Sequence, residues 1–590
     1  MLLLAALGLG LFYYGLNHFA RPDALTGSVL IALCGVVFGW LLADTPAAKL
    51  LERVREPSVR GRRITAAVVG LLGGGHVIFS NVYLGRSLLP YWHDDQMHAV
   101  QARMMAEGHF LLPAHPMADF FETFHVFVKP VYAGIHFLGT TLLNAPGLKA
   151  GFPTWVVPIL LASLAVALTY RVVTELIDGL SGLVAALLLV SLDFFRFIAP
   201  RILSHGTMLT LGLLLVWMFL RWRRRPGYGW SVAFGLTAGL TLITRPLDAA
   251  AYLAPLGLAM LFTRSGPTTS VRLRHALVAA VCTLPFAGVQ LYFDKQVTGR
   301  WLYSPYQLYN DLNYPGINFD ARRQLVGQEQ IPDTPSTLPQ KRAYYNDFLL
   351  TFVRGVRASS LPKHIIDDRL MWTLRHGTPD ALLYFLIPIG LLGLRTAARI
   401  AFVAIPFVYM AVYVPHYFYL AHYATIIAPS LSVLVLLGVR ELATAWPGRS
   451  RRIEFAGLMT VTIAALSSMP PFSTMVADDA GPEMPDAAYA NERLPSLVRR
   501  PALVLFHYDP GVTFHDEPVY NFERAWPDDE SIVRAQDLGP RNPELFRYYA
   551  RSQPDRTVYL FDRRQRRLIE LGNVKKLADA ATTGPATQPQ

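Results

Sequence analysis

Two adjacent carboxylates, Asp94 and Asp95, open the run His93-Asp94-Asp95-Gln96-Met97-His98 just past an apolar stretch. A carboxylate at a water–lipid boundary can take a proton from a hydroxyl as that hydroxyl attacks. A like-charged neighbour raises a carboxyl pKa, so Asp95 is expected to make Asp94 the better base. Cations and imidazoles recur in later segments. Lys129 precedes Pro130, Arg201 and His205 bracket Ile202-Leu203-Ser204, and Arg245 and Asp248 lie in Thr244-Arg245-Pro246-Leu247-Asp248. A further turn carries His416, Tyr417, Tyr419, His422 and Tyr423. Ionisable groups beside hydrocarbon are costly and tend to line a cavity or a substrate path. Any one of them could instead be an interfacial anchor or a snorkelling chain; their recurrence in five segments points to a site.

The elements that must position these groups are membrane helices. The chain has 590 residues, 52% hydrophobic and only 16% charged, with a mean hydropathy of +0.30, outside the balance of a soluble globular protein. Apolar stretches long enough for a ~30 Å hydrocarbon core are expected near 2–19, 26–43, 64–84, 126–146, 153–172, 178–197, 204–221, 229–245, 247–264, 276–294, 381–395, 398–418, 424–441 and 455–470. The first lacks a basic leader and an Ala-x-Ala site, and a second follows directly, so it reads as a span and not a cleaved signal. The two cysteines, Cys34 and Cys282, both fall inside expected spans, which excludes a disulfide framework and a thiolate metal site.

Basic residues crowd four loops: Lys49 to Arg63, Arg221 to Arg225, Arg264 to Arg274, and Arg440 to Arg452. Short loops rich in Lys and Arg stay cytoplasmic, so the amino terminus is expected inside and 85–125, 295–380 and 471–590 outside. The net charge of +12 is then a topology signal with attraction to anionic lipid, not a nucleic-acid footprint. Residues 125 and 203 should both lie outside, yet three apolar segments separate them, so either 126–146 lies partly along the interface, as Lys129-Pro130 suits, or 173–203 crosses twice by short helices; the first is expected. The fold expected is an all-α polytopic membrane domain of about 13 transmembrane helices with a small extracytoplasmic α/β domain. Residues 1–63 form a two-helix extension and a basic loop, 64–470 the main membrane domain, 471–577 the α/β domain, and 578–590 a disordered tail. Strand-like runs at 502–506 and 557–561 flanking a helical stretch near 541–552 mark the α/β domain.

The run HDDQMHAVQARMMAEGHF resembles the acidic first outer loop of the GT-C superfamily of membrane glycosyltransferases. VKPVY, RILSHGTML, TRPLDA, LYFDKQVTGRWLYSPYQLY and HYFYLAHYATIIAPSLSVL follow in the order found in bacterial relatives of protein mannosyltransferases and lipid A aminoarabinose transferases. The resemblance spans roughly residues 64–445. It implies a polyprenyl-phosphate-linked sugar donor, transfer on the extracytoplasmic face of a bacterial inner membrane with inversion, and a glycan, lipid or protein acceptor. It places Asp94 as general base, Asp95 as the second acid, and Lys129 and Arg245 at the donor phosphate. From their place at outer helix ends and turns, Arg201 and His205 are assigned to the same phosphate, and His98, His416, Tyr417, Tyr419, His422 and Tyr423 to the acceptor or a lid. The chain departs from such relatives in having Ser204-His205 where many carry a second Asp, and in lacking Gly-x-Arg before the late tyrosines. Cations at the leaving phosphate would stabilise its developing charge, with Arg as a planar fork and Lys as a point charge. No Gly-rich nucleotide loop occurs, consistent with a lipid-linked donor.

No cofactor is assigned. Asp94 and His98 share a helix face and His109, His115 and His125 follow, but no paired-His spacing singles out a metal site. A transporter or flippase of a lipid-linked or anionic substrate would use the same outer cations. It should also carry mid-span charges or inverted repeats, and only Arg171, Glu175 and Asp178 approach that description. A non-catalytic envelope scaffold is the third alternative.

Overall fold

The computed structural model describes residues 1–19, 24–262, 268–314, 317, 338–473 and 485–583. The chain divides into two compact units. The helical unit comprises 1–86, 158–289 and 358–480, and the mixed unit 87–157, 290–357 and 481–590.

Among the described residues six helices are long and apolar enough to cross a membrane: Leu25–Leu42, Val59–Tyr83, Val156–Leu176, Ser204–Arg224, Thr269–Thr298 and Ala421–Thr444. Shorter apolar helices include Leu2–Asn17, Gly179–Ser191, Pro246–Phe262 and Ala397–Tyr413. The span expected at 178–197 is interrupted at Leu192, where the backbone turns extended between helices Gly179–Ser191 and Asp193–Ile198. That expected at 381–395 is three short helical pieces, Ala381–Phe385, Leu386–Gly390 and Leu391–Gly393, in a stretch punctuated by Pro388, Gly390 and Gly393.

Within the helical unit, helix Ala24–Leu42 packs on Ser450–Ser467 through Gly35 and Gly39, one turn apart. A Cβ on Gly39 would lie 2.5 Å from the Cα of Ala456, so the missing side chain sets the approach of the two backbones, as small residues do between membrane helices. Gly39→Leu is therefore expected to cost about 1–3 kcal/mol by overpacking, read as a lower Tm of the detergent-solubilised protein, whereas Leu at Gly10, which faces open space, leaves Tm unchanged.

The mixed unit is built on a four-stranded sheet ordered Ile532–Gln536, Ala502–His507, Thr557–Asp562, Arg567–Asn573, the first three parallel and the last antiparallel. Strand Ala502–His507 is buried on both faces, as expected of a central parallel strand. One face packs Leu503, Leu505, Val533 and Val558 against helices Asn542–Ser552 and Val574–Thr583; the other packs Val504, Phe506 and Phe561 against Ala490 and Leu494.

Three expectations change here. The apolar run 126–146 forms no span: it supplies strands Val126–Phe127 and Val131–Gly134, part of a small antiparallel sheet with Leu112–Pro113, and helix Gly139–Lys149. Val126, Phe127, Tyr132, Ile135 and Leu138 of this run are buried in the protein. The α/β domain is not confined to 471–577, because Phe120 and Phe121 of the first outer loop join its core. Residues 578–583 continue helix Val574–Thr583, with Ala578 in the core, and 584–590 lie outside the described residues. So does most of 315–337 within the loop expected at 295–380.

Glu530 sits beneath this sheet, almost fully buried, its Oε1 accepting from the backbone N–H groups of Glu523 and Arg524 at 2.7 and 2.9 Å. Burial pushes its carboxyl up to about 7. The native state then holds the proton more tightly than the unfolded chain, so stability falls as pH rises from about 4.5 to about 7 and is flat beyond. Glu530→Gln keeps the acceptor without the charge. It is expected to match the native chain at pH 4.5 and exceed it by up to ~3 kcal/mol at pH 8, measured by urea unfolding followed through Trp526 fluorescence.

Candidate active site

In the mixed unit, helix His93–Ala106 presents Asp94 in its first turn. His125 Nδ1 and His136 Nε2 both approach Asp94 Oδ1, at 2.8 and 3.1 Å. Among the described residues nothing bonds Oδ2, and the Asp94 side chain keeps 39% of its surface accessible. Burial acts against ionisation, but the charge of His136 and the hydrogen bonds from both imidazoles outweigh it and hold the carboxyl well below its usual value. Burial in turn keeps His125 below the usual imidazole range, beyond what Asp94 restores.

The two imidazoles are positioned by different means. His125 has a left-handed backbone, φ 61°, which costs a non-glycine residue energy and concentrates at functional sites. Its N–H is taken by Tyr309 Oη at 3.0 Å and its carbonyl by Ile135 N at 3.0 Å. His136 follows strand Val131–Gly134, its ring flanked by His98 at 5.3 Å and Tyr306 at 5.6 Å between centroids. Buried Lys341, paired with Glu122 at 3.0 Å and lying over the Tyr309 ring, stays charged: burial lowers its pKa, but Tyr309 and Glu122 more than compensate.

Asp95, by contrast, is fully buried and accepts from Tyr91 N at 3.3 Å. It secures the turn into the helix. The expectation that it raises Asp94 is overturned, because the imidazoles dominate and act in the opposite direction. Lys129 is 61% exposed and paired with Asp119 at 2.5 Å, which also takes Arg541. Among the described residues no contact links Lys129 to Asp94, and its ammonium pairs with Asp119 at the surface. His98 is buried against His136 and orients it.

The helical unit gathers a second cluster where helices Ser204–Arg224, Pro246–Phe262 and Ala424–Thr444 begin and Ala397–Tyr413 ends. Arg245 donates to Ser204 Oγ at 3.1 Å and Tyr413 Oη at 2.9 Å, pairs closely with buried Asp248, and lies over the Tyr423 ring. Tyr413 donates in turn to Asp248 at 2.5 Å. His205 is 4.3 Å from His422 and 4.8 Å from Tyr423, ring to ring. Arg245, His205, His422 and Tyr423 are thus brought together. Arg201 is buried on the Phe197 ring and bonds that residue's carbonyl. His416, stacked on Tyr417, and Tyr419 surround Arg369, which donates to the carbonyls of Tyr413 and His416.

Spacing alone offered no metal site. The fold supplies a donor set, since one ligand atom from each of Asp94, His125 and His136 lies within 4.8 Å of the other two. Two imidazoles and a carboxylate suit a divalent transition ion with open coordination positions. His136 was concealed inside a run that reads as a membrane span.

No protein-family profile matches the chain, and no curated protein matches it. Among solved structures it is similar to ArnT from Cupriavidus metallidurans bound to undecaprenyl phosphate, at 12% identity over 85% of this chain and 93% of that one, with a TM-score of 0.41. The apo state of the same protein gives 14% identity, 91% and 93% coverage and a TM-score of 0.36. The apo oligosaccharyltransferase of Archaeoglobus fulgidus gives 14% identity over 74% of this chain and 59% of its own, with a TM-score of 0.33. At these values the likeness bears on neither substrate nor residue roles.

Proposed function

We propose that this chain is a multi-pass membrane glycosyltransferase that moves a sugar from a polyprenyl-phosphate donor to a hydroxyl or amine of a glycan, lipid or protein acceptor. Transfer takes place on the extracytoplasmic face with inversion, the amino terminus being cytoplasmic. The observation that supports this best is Asp94: one oxygen is fixed by two imidazoles and the other is open. The acceptor hydroxyl gives its proton to Oδ2 as its oxygen bonds the anomeric carbon, and the bond from that carbon to the phosphate oxygen breaks. The phosphate leaves with added negative charge. Taken by itself, the helical unit's Arg245 spends three of its five N–H groups on Asp248, Ser204 and Tyr413, which leaves two able to take phosphate oxygens of a lipid-linked donor. His205 stands beside the Tyr423 ring that Arg245 covers and donates to the phosphate when protonated.

The experiment is mass spectrometry of envelope glycans and lipids from a strain lacking this chain. A sugar should disappear, return with the native sequence, and stay absent with Asp94→Asn. An unchanged envelope in the deletion strain defeats the reading.

The donor set of Asp94, His125 and His136 favours one addition, a divalent ion held by these three residues and supplying positive charge near the leaving phosphate. Chelator-treated protein returned to zinc or manganese is expected to retain about one ion per chain, and His136→Ala to retain none, by elemental analysis of the purified protein.

A further inference from the structure

Away from both clusters, the helical unit brings three arginines to one carboxylate, with two more arginines of a third helix acting on them. Glu175 is fully buried; Arg221 pairs closely with it, and Arg171 and Arg224 stand at 3.7 Å. Arg62 and Arg63, from the first turn of helix Val59–Tyr83, act electrostatically on Arg171, and Arg62 also on Arg221. The Nε groups of Arg62, Arg171 and Arg221 are buried with no hydrogen-bond partner among the described residues.

A neighbouring cluster shows the saturated case. At Asp178, Arg55 meets Asp178, Glu454 and Glu52 at 3.2, 2.8 and 2.6 Å, and Arg440 meets Asp178 at 3.0 Å. Two cations share three acids there, against three cations on one acid at Glu175. The preference of basic residues for cytoplasmic loops explains their number. It does not explain their convergence on one buried acid, where like charges repel and buried donors left without acceptors cost energy. An anion would satisfy both.

We propose that the arginine cluster around Glu175 binds the phosphate of an anionic lipid headgroup. Arginine forks match phosphate oxygens in pairs, and basic pockets between membrane helices take such headgroups. Arg171, Arg221 and Arg224 belong to helices of spanning length, Val156–Leu176 and Ser204–Arg224, beside which an acyl chain can run; this favours a lipid over free phosphate. Glu175 is a positioning residue that gathers the guanidinium groups.

The test uses the full chain in phosphatidylcholine–detergent micelles, with phosphatidylglycerol or inorganic phosphate added. Phosphatidylglycerol is expected to raise Tm and to stay bound in native mass spectrometry, with added phosphatidylcholine or inorganic phosphate doing neither. Arg224→Gln, at a 48% exposed side chain, should weaken retention about fivefold, and Arg171→Gln with Arg224→Gln about 25-fold, each guanidinium being worth ~1 kcal/mol beside an anionic headgroup. Arg440→Gln in the saturated cluster should leave retention unchanged. An equal response to phosphatidylcholine or to inorganic phosphate, or retention undiminished in the Arg224→Gln protein, overturns the proposal.

Discussion

Asp94→Asn is expected to lower turnover about 10²–10⁴-fold, the range for loss of a positioned general base, with some loss of Tm because the imidazoles stabilise the carboxylate, so rates are compared at matched folded fraction. The amide keeps an oxygen for His125 and His136, which both bond Oδ1, and loses only the charge and the capacity to take a proton. Asp95→Ala makes the opposite contrast. That side chain is fully buried and serves the Tyr91 N–H, so its loss is expected to cost about 1–3 kcal/mol of stability with turnover within about tenfold once the folded fraction is matched. Initial rates with labelled polyprenyl-phosphate sugar, paired with thermal unfolding, separate the two. Loss of rate in Asp95→Ala with Asp94→Asn unimpaired would remove Asp94 from the reaction.

The pH profile carries the same information. Because the imidazoles hold Asp94 well below its usual 3.8, the carboxylate stays ionised throughout the range above that value. The acid limb of kcat/KM attributable to Asp94 therefore lies below pH 3.8. Had Asp95 governed this carboxyl, the limb would have moved up.

What the sequence concealed has a physical pattern. Long apolar helices such as Val59–Tyr83 and Ala421–Thr444 were legible because crossing hydrocarbon requires a continuous run of the right length. Residues 126–146 satisfied the same criterion and are nevertheless strands and a short helix. Hydropathy measures removal from water and is blind to whether lipid or protein does the removing. That misreading hid His136, and with it the third member of the Asp94 cluster. The Arg245 cluster was easier to foresee, since its members stand at helix ends, where a polar group after an apolar run has few places to go. The pairing of Lys129 was hidden for another reason: its partner Asp119 is ten residues away on an irregular segment, and no periodicity brings such pairs to view. Arg369 lay in a mixed-charge stretch and carried no signal to separate it from surface arginines, although it organises the carbonyls below Tyr419.

Arg245 allows stability and chemistry to be pulled apart. Arg245→Gln leaves the buried Asp248 carboxylate without its cation and should cost about 3–5 kcal/mol, the usual consequence of breaking a buried pair from one side. Turnover falls too, but that variant cannot say why. Arg245→Met with Asp248→Leu removes both charges and is expected to recover most of the stability, since apolar replacements of a buried pair are often neutral. Its turnover should still be down about 10²–10³-fold if, as proposed, the Arg245 donors serve the departing phosphate. Arg245→Lys supplies the intermediate case: the charge toward Asp248 survives, but the fork that also reaches Ser204 and Tyr413 does not, and a point charge cannot replace two parallel N–H groups. Its stability should lie close to native and its turnover between the other two. Turnover at the native rate in the refolded double variant would show that Arg245 serves the packing of the helix ends and takes no part in phosphate departure.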